Sequence, residues 1–335
     1  MAARRAAVYR KIAAMKMTLA LLAALVLCAG SATAQERYPQ RPLRIVVPFA
    51  PGGSTDIIAR LLGERLADAL GQPVVIENRP GAAGNIGAEA VAKSPPDGYT
   101  LLMATTGVMA INNALYKNIG YDSARDFDDV VFVASISNVL IVAADSALHS
   151  VPELVAVAKR SPGKLTFASS GAGSSTHMSA ELFKSMAGVD LLHVPYKGSG
   201  PALPDLITGR VSMMFENMPG AIPYIRAGTV RALAVTGLRR ASALPDIPTV
   251  AESGVPGYES LSWIGIAAPA GTPRDAIARL NREFNAILGT PEMRQKLAEQ
   301  GADAVGGTPE AFAEHAKRER EKWSRVIREA DISVN

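Results

Sequence analysis

The chain has 335 residues, with 35 Lys plus Arg against 31 Asp plus Glu and a formal charge of +4. Residues 1–34 hold Arg4, Arg5, Arg10, Lys11 and Lys16 and no acidic residue, so the remainder carries 30 basic against 31 acidic side chains, a formal charge of −1. That balance gives no support to nucleic-acid or membrane-surface binding, and because the single cysteine, Cys28, lies in the same leader, the rest can hold no disulfide, thiolate metal site or cysteine nucleophile.

In chain order, the basic stretch is followed by apolar Leu19 to Ala29 and by Ala32-Thr33-Ala34, a small-x-small site. This reads as a secretory leader, residues 1–34, cut before Gln35, which sends the product to a periplasm. The apolar run falls short of the about 20 residues a bilayer core requires. Leu27 ahead of Cys28 is not the small residue that lipid attachment needs.

The remainder alternates strand-like and helical patterns, as α/β layers over a mostly parallel sheet do. Arg44 to Phe49 predicts a strand, and Ile57, Ile58, Leu61, Leu62, Leu66 and Leu70 recur at helical spacing behind it. Strand Pro73 to Glu77, a helix around Ile86 to Lys93 and strand Thr100 to Thr105 complete a first β-α-β-α-β unit. A second comprises strand Val139 to Ala143, helix Pro152 to Lys159, strand Leu165 to Ala168, helix Met178 to Met186, and strands His193 to Tyr196, Val211 to Glu216 and Ala232 to Thr236. Strand Trp263 to Ala268 and helices Arg274 to Leu288 and Pro309 to Ala330 close the chain. The expected division is residues 36–138 plus 257–335 in one lobe and 139–256 in the other.

Two strand-to-helix loops carry the chemistry. In Phe49-Ala50-Pro51-Gly52-Gly53-Ser54-Thr55-Asp56, two glycines allow backbone N–H groups to turn into a concave nest at a helix start, a place attractive to an anion. The loop has no Lys, so it is not a nucleotide P-loop. Ser169-Ser170-Gly171-Ala172-Gly173-Ser174-Ser175-Thr176-His177 supplies hydroxyls and backbone donors, again with no fixed cation. One helix N-terminus from each lobe is expected to grip one carboxylate from both sides. The candidate ligand-binding residues are Phe49, Ala50, Gly52, Gly53, Ser54 and Asp56 from the first loop, Thr106 and Gly107 after the third strand, Ser169, Ser170, Gly173, Ser174, Thr176 and His177 from the second loop, and Glu216 and Asn217 at the ligand's far end.

Other features have plain structural readings. Gly81-Ala82-Ala83-Gly84-Asn85-Ile86-Gly87 has the wrong spacing for a dinucleotide fingerprint and reads as a tight turn with close helix packing. His149, His193 and His315 show no metal-ligand spacing, and Lys317 to Lys322 reads as a solvated helix face. With no Gly-x-Ser-x-Gly elbow, a serine three residues before His177 at a helix start is badly placed to use that imidazole, which argues against a secreted serine hydrolase.

The chain resembles the TctC-like or Bug receptors, the periplasmic binding components of tripartite tricarboxylate transporters. The resemblance rests on Pro48 to Asp56, Glu77 to Gly87, Pro96 to Leu102, Ser169 to His177, Val194 to Gly198, Leu244 to Thr249 and Ala268 to Pro273, in that order. It implies a type II periplasmic-binding-protein fold, two α/β lobes with a central cleft, that holds a di- or tricarboxylate, an acidic amino acid or an aromatic acid. It also implies a monomer with no catalytic residue, metal or cofactor that serves membrane permease subunits encoded elsewhere; a sensing subunit for a membrane signalling protein is the alternative. Phe215-Glu216-Asn217 stands where the family often has Phe-Asp-Asn, so the ligand's identity does not carry over.

Overall fold

The computed structural model describes residues 14–17, 38–329 and 332. Residues 1–40 separate as a unit of their own, of which 14–17 form one helical turn; the expected cleavage site lies outside the described residues. All that follows concerns residues 41–335. No helix among the described residues is long and apolar enough to cross a membrane.

Strands β1 (Leu43–Val47), β2 (Val74–Asn78) and β3 (Thr100–Thr105) are parallel in the order β2-β1-β3. Leu43, Ile45, Val46 and Val47 are essentially inaccessible, as expected of a parallel strand covered on both faces. Helix α1 (Ser54–Leu70) follows β1 and ends at Gly71, whose φ of 66° supplies the left-handed residue that closes its last turn. Helix α2 (Asn85–Ala92) follows β2. Gly87 on α2 permits close packing: a Cβ there would stand 2.9 Å from both the Arg79 carbonyl and Pro48 Cα. After β3 the chain makes a π-helical turn, Gly107–Ile111, continuing into α3 (Asn112–Leu115).

The long strand β4 (Phe127–Ala143) joins two sheets. Its first part pairs antiparallel with β9 (Leu261–Pro269) and β10 (Ala302–Ala304), and β9 also pairs with β3. From Asn138 onward it pairs antiparallel with β7 (Met213–Asn217) and β8 (Val230–Val235). Parallel strands β5 (Thr166–Ser169) and β6 (Leu192–Pro195) extend this second sheet beyond β7. The expected mostly parallel sheet is thus mixed, with antiparallel pairing wherever β4 and β9 take part. Along β4 the side chains alternate between two cores: Val139 and Ile141 join Leu203, Met214 and Ile222, whereas Leu140 and Val142 join Phe167, Phe183, Phe215 and Tyr258.

Around the second sheet stand α4 (Val151–Arg160), α5 (Ser175–Ala187), α6 (Ser199–Ile207) and α7 (Met218–Arg226). Helix α4 has Ser150 as N-cap accepting from Glu153 N, a Pro in its first turn and Lys159-Arg160 in its last. Helices α8 (Arg274–Gly289), α9 (Pro291–Glu299) and α10 (Pro309–Glu329) return to the first sheet. There Trp263, Phe312 and Trp323 build its core with Val46, Leu102 and Met109. The expected solvated face of α10 is half right: Lys317 and Lys322 are exposed, but half-buried Glu319 accepts from the indole nitrogens of Trp263 and Trp323 at 3.2 and 3.0 Å.

The sheets meet at Asn138, which is inaccessible. Its backbone N–H donates to Thr236 Oγ1 and its carbonyl accepts from Thr236 N, while its side chain reaches Ser179 Oγ at 2.6 Å and Ser262 Oγ at 3.0 Å. Ser260 N bonds the Thr236 carbonyl beside it. The two crossings of the chain between sheets therefore lie next to each other, the arrangement of a hinge.

Candidate ligand-binding site

Between the two sheets lies a narrow cavity lined by Phe49, Gly53, Ser54, Thr55, Thr105, Gly107, Ser170, Ser174, Ser175, Thr176, Ser199, Asn217, Ser262, Trp263 and Ile264. No charged side chain is among them. Four helices begin at its wall: α1 at Ser54 and Thr55, α5 at Ser175 and Thr176, α6 at Ser199, and α7 just after Asn217. Helices α1 and α6 have no side-chain cap of their own, so the N–H groups of their first turns and the positive ends of their dipoles are presented to the cleft.

The two expected loops, 49–56 and 169–177, both reach the cavity wall, and each makes its close contacts across the cleft with a further segment. Ala50 N donates to the Lys197 carbonyl at 3.1 Å, and Gly220 N, in the first turn of α7, donates to Ser54 Oγ at 2.9 Å. A serine from the first sheet thus caps a helix of the second. Gly107 and Gly173 meet so tightly that a Cβ on Gly107 would lie 3.0 Å from the Gly173 carbonyl. Segments on the two sides of the cleft are thus in contact.

The structure brings Phe49, Gly53, Ser54, Gly107, Ser170, Ser174, Thr176 and Asn217 to the cavity wall; the other candidates support it from behind. Ala50 and Gly52 hold the first loop, Gly52 N donating to Asp56 Oδ2 at 3.0 Å. Asp56 faces away from the cavity, toward Arg60 and Asn78. Burial raises its pKa, but the bonds from Arg60, Gly52 and Asn78 outweigh that and hold it below the ordinary carboxylate range. Thr106 Oγ1 accepts from Trp263 N at 2.9 Å, fixing β9. Ser169 Oγ bonds His193 Nε2 at 2.6 Å.

His177 is buried, its Nδ1 accepting from Gly173 N at 3.1 Å and its ring stacked 4.1 Å from His193. The fold has brought together two histidines that the spacing set apart. Burial, reinforced by His177, pushes His193 down to about 3, so it is neutral at working pH. Among the described residues no cluster of three or more metal-ligating side chains occurs. Ser174 Oγ accepts from His177 N, not from the ring, and the serine bonded to an imidazole is Ser169, beside the wall residue Ser170.

Glu216 is the clearest departure. Expected to read the ligand's far end, it is fully buried behind the wall, with Ser199 Oγ donating to Oε2 at 2.6 Å and Ser54 Oγ lying 3.2 Å from Oε1. Burial pushes its carboxyl up to about 7, with the Ser199, Ser54 and Asn217 hydrogen bonds pulling the other way.

The candidate set lacked Thr55 and Ser175, which lie within the two loops, and Thr105, Ser199, Ser262, Trp263 and Ile264, which lie outside them. Thr105 Oγ1 has no hydrogen-bond partner among the described residues, although it lines the cavity. Ser199 had a readable signal: Gly198-Ser199-Gly200 repeats the Gly/Ser loop-before-helix pattern of the two loops identified.

A two-lobed α/β protein with a hydroxyl-lined cleft at its hinge belongs to the class of solute-binding proteins. The sequence matches the Tripartite tricarboxylate transporter family receptor profile, TctC, over residues 58–332, and the chain belongs to that family. Protein BugT of Bordetella pertussis is 40% identical over 325 residues, covering 96% of this chain and 100% of its own. The solved structure of R. palustris Rpa4515 with adipate is 44% identical, superposes with a TM-score of 0.87, and covers 88% of this chain and 99% of its own. MatC (Rpa3494) from Rhodopseudomonas palustris with bound malate is 33% identical, TM-score 0.83, covering 87% and 100%. The type II periplasmic-binding-protein fold is thereby shown.

Proposed function

We propose that this chain captures one small carboxylate in the cleft and delivers it, from the periplasm and as a monomer, to permease subunits of a tripartite transporter. The observation that carries the reading is the convergence of four helix N-termini on a cavity whose lining has hydroxyls and no charged side chain. Such a site stabilises an anion through N–H groups, dipoles and hydroxyls without a fixed cation. The adipate and malate held by two relatives support the ligand class. Within the described residues, 41–138 with 257–329, and 139–256, are the two bodies that close about a hinge at Asn138 and Ser260. The wall residues touch the ligand, and Ala50, Gly52, Asp56, Thr106, Ser169, Gly173, His177 and Glu216 position them.

Calorimetry of adipate and malate against their diamides tests the ligand class. The acids bind at least about tenfold more tightly, roughly 1.4 kcal/mol, because a charge-assisted hydrogen bond becomes neutral in the amide; equal affinities refute it. Uptake by cells lacking the chain tests delivery: uptake that persists while a transcriptional response disappears makes the protein a sensor. Turnover of an ester would make it an enzyme.

A further inference from the structure

From the cavity wall inward runs a short chain of hydroxyls. Ser170 Oγ lies 2.8 Å from Ser199 Oγ, and Ser199 Oγ lies 2.6 Å from Glu216 Oε2. Ser170, Ser199 and Ser54 all line the cavity, whereas Glu216 is wholly buried. Each hydroxyl has one proton to donate. When Glu216 is ionised it only accepts: Ser199 donates to Oε2, Ser170 donates to Ser199, and Ser54 turns toward Oε1. All three protons then point away from the cavity and lone pairs face it, an arrangement that repels an incoming anion. When Glu216 is protonated at Oε2, that proton goes to Ser199 Oγ, Ser199 donates to Ser170 Oγ, and the Ser170 proton is released into the cleft. Ser54 still donates to Oε1.

Resting on the carboxylate reading above, we propose that capture of the ligand takes up one proton onto Glu216, which reverses the Glu216–Ser199–Ser170 chain and turns the Ser170 hydroxyl into a donor for the ligand. Glu216 is a positioning residue, touching the ligand only through the serines. Its surroundings leave the step to hydrogen bonding. On α1, Asp56 and Arg60 are paired with each other; on α6, Asp205 is held by Tyr196 and Arg210. On α5, Glu181 is paired with Lys184 and lies 3.6 Å from His177 Nε2. On α7, Arg226 reaches the Glu299 carbonyl. The stretches of β4 and β5 that pair with β7 carry no charged side chain. Nothing charged sets the Glu216 carboxyl; burial does, and places it near neutrality, where a modest perturbation changes its occupancy. Opening of the cleft withdraws Ser54 from Glu216 and gives the proton its way in.

The linkage has a definite sign. Because the bound state holds the proton more firmly than the free state, affinity is highest below neutrality and falls by up to about tenfold per pH unit above it. Calorimetry with adipate, malate and acetate, each in two buffers of different ionisation heat near about pH 7.5, reads the protons taken up. Infrared titration of the carboxylic-acid carbonyl, with and without these acids, reads Glu216 itself. The expected result is proton uptake by wild type, none by Glu216→Gln, whose amide is fixed as donor to Ser199, and none by Ser199→Ala, which breaks the chain. The infrared midpoint also rises when the acid is added. Binding heat without proton uptake, uptake that survives in Glu216→Gln, or a Glu216 ionised throughout the titration overturns the proposal alone. Absence of any binding heat from all three acids overturns the carboxylate reading and this step with it.

Discussion

Ser262 Oγ, on β9, lies 3.1 Å from Asn217 Oδ1, at the end of β7, so the back wall of the cleft is stitched across the two sheets by a side-chain pair 45 residues apart in sequence. Ser262 also reaches Asn138, which ties the wall to the hinge. Closing the lobes and completing the cavity are therefore one event: the contacts that shut the cleft are made by residues that line it or stand directly behind them.

Gly200 makes closure testable without touching the ligand. A Cβ at this position would lie 2.3 Å from the Pro51 carbonyl of the opposing loop, and both sides are backbone, so neither yields cheaply. Within α6 itself alanine is at least as good a helix former as glycine. Gly200→Ala is expected to weaken adipate or malate binding at least about tenfold, near 1.4 kcal/mol, with the melting temperature of the unliganded protein little changed. Small-angle scattering with ligand present should give a larger radius of gyration than wild type. Wild-type affinity in this variant would show that full closure is unnecessary.

Glu319 holds two indoles at once, Trp263 of the cleft and Trp323 of the core. Glu319→Ala leaves two largely buried N–H donors unpaired, each worth about 1 to 3 kcal/mol when unsatisfied, and should lower stability by about 2 kcal/mol or more. Glu319→Gln keeps an acceptor and should recover most of the loss. Denaturant midpoints measure both, and a blue or red shift of tryptophan emission reports whether Trp263 has moved. An alanine variant as stable as wild type would mean the indoles find other partners.

The parallel strands were legible because fully covered strands read as continuous apolar runs, as Arg44 to Phe49 does. The first half of β4 was not: Phe127-Asp128-Asp129 opens it with two acids, and two register shifts against β9 break its alternation. Helices α6 and α7 were hidden by Pro201, Pro204, Pro219 and Pro223, residues that in sequence signal a break. The site was half legible. Loop residues that bind through their own backbone announce themselves by glycine and serine, whereas the role of Glu216 depends on Ser54, 162 positions away, a relation no local pattern carries.

Asp129 provides a pH test. Burial, with Asp128 adding and Arg320 opposing, pushes it up to about 7, and its Oδ1 is buried without a hydrogen bond. A carboxyl whose folded pKa exceeds its unfolded value of 3.8 favours the folded state while protonated and costs stability as pH rises from the unfolded toward the folded value. Asp129→Asn should therefore raise stability at about pH 8 by on the order of 1 to 2 kcal/mol, a few degrees in Tm for a chain this size, and give no gain near about pH 4. Calorimetric melts at both pH values check the sign. A variant less stable than wild type at pH 8 would mean that the Asp129–Arg320 attraction outweighs burial.

Thr105 separates what the fold needs from what the ligand needs. It sits at the end of β3, is 7% exposed and lines the cavity, and its hydroxyl makes no hydrogen bond to the described protein. Valine is nearly its isostere, keeps the branched shape that suits a strand and removes only the hydroxyl. Deleting an unsatisfied buried hydroxyl costs the folded state nothing and relieves a desolvation penalty, so Thr105→Val should be as stable as wild type or slightly more so. If the hydroxyl donates to the bound acid, the same change should weaken binding by about 1 kcal/mol, roughly fivefold. The loss should be larger for malate, which has a hydroxyl and two carboxylates on a short chain, than for adipate, whose methylene spacer presents less polar surface to this wall. Parallel melts and calorimetric titrations decide it. A fall in stability would place the hydroxyl in an internal bond formed in solution, and an unchanged affinity for both acids would remove Thr105 from the ligand's surroundings and shift the far end of the site toward Trp263 and Ile264.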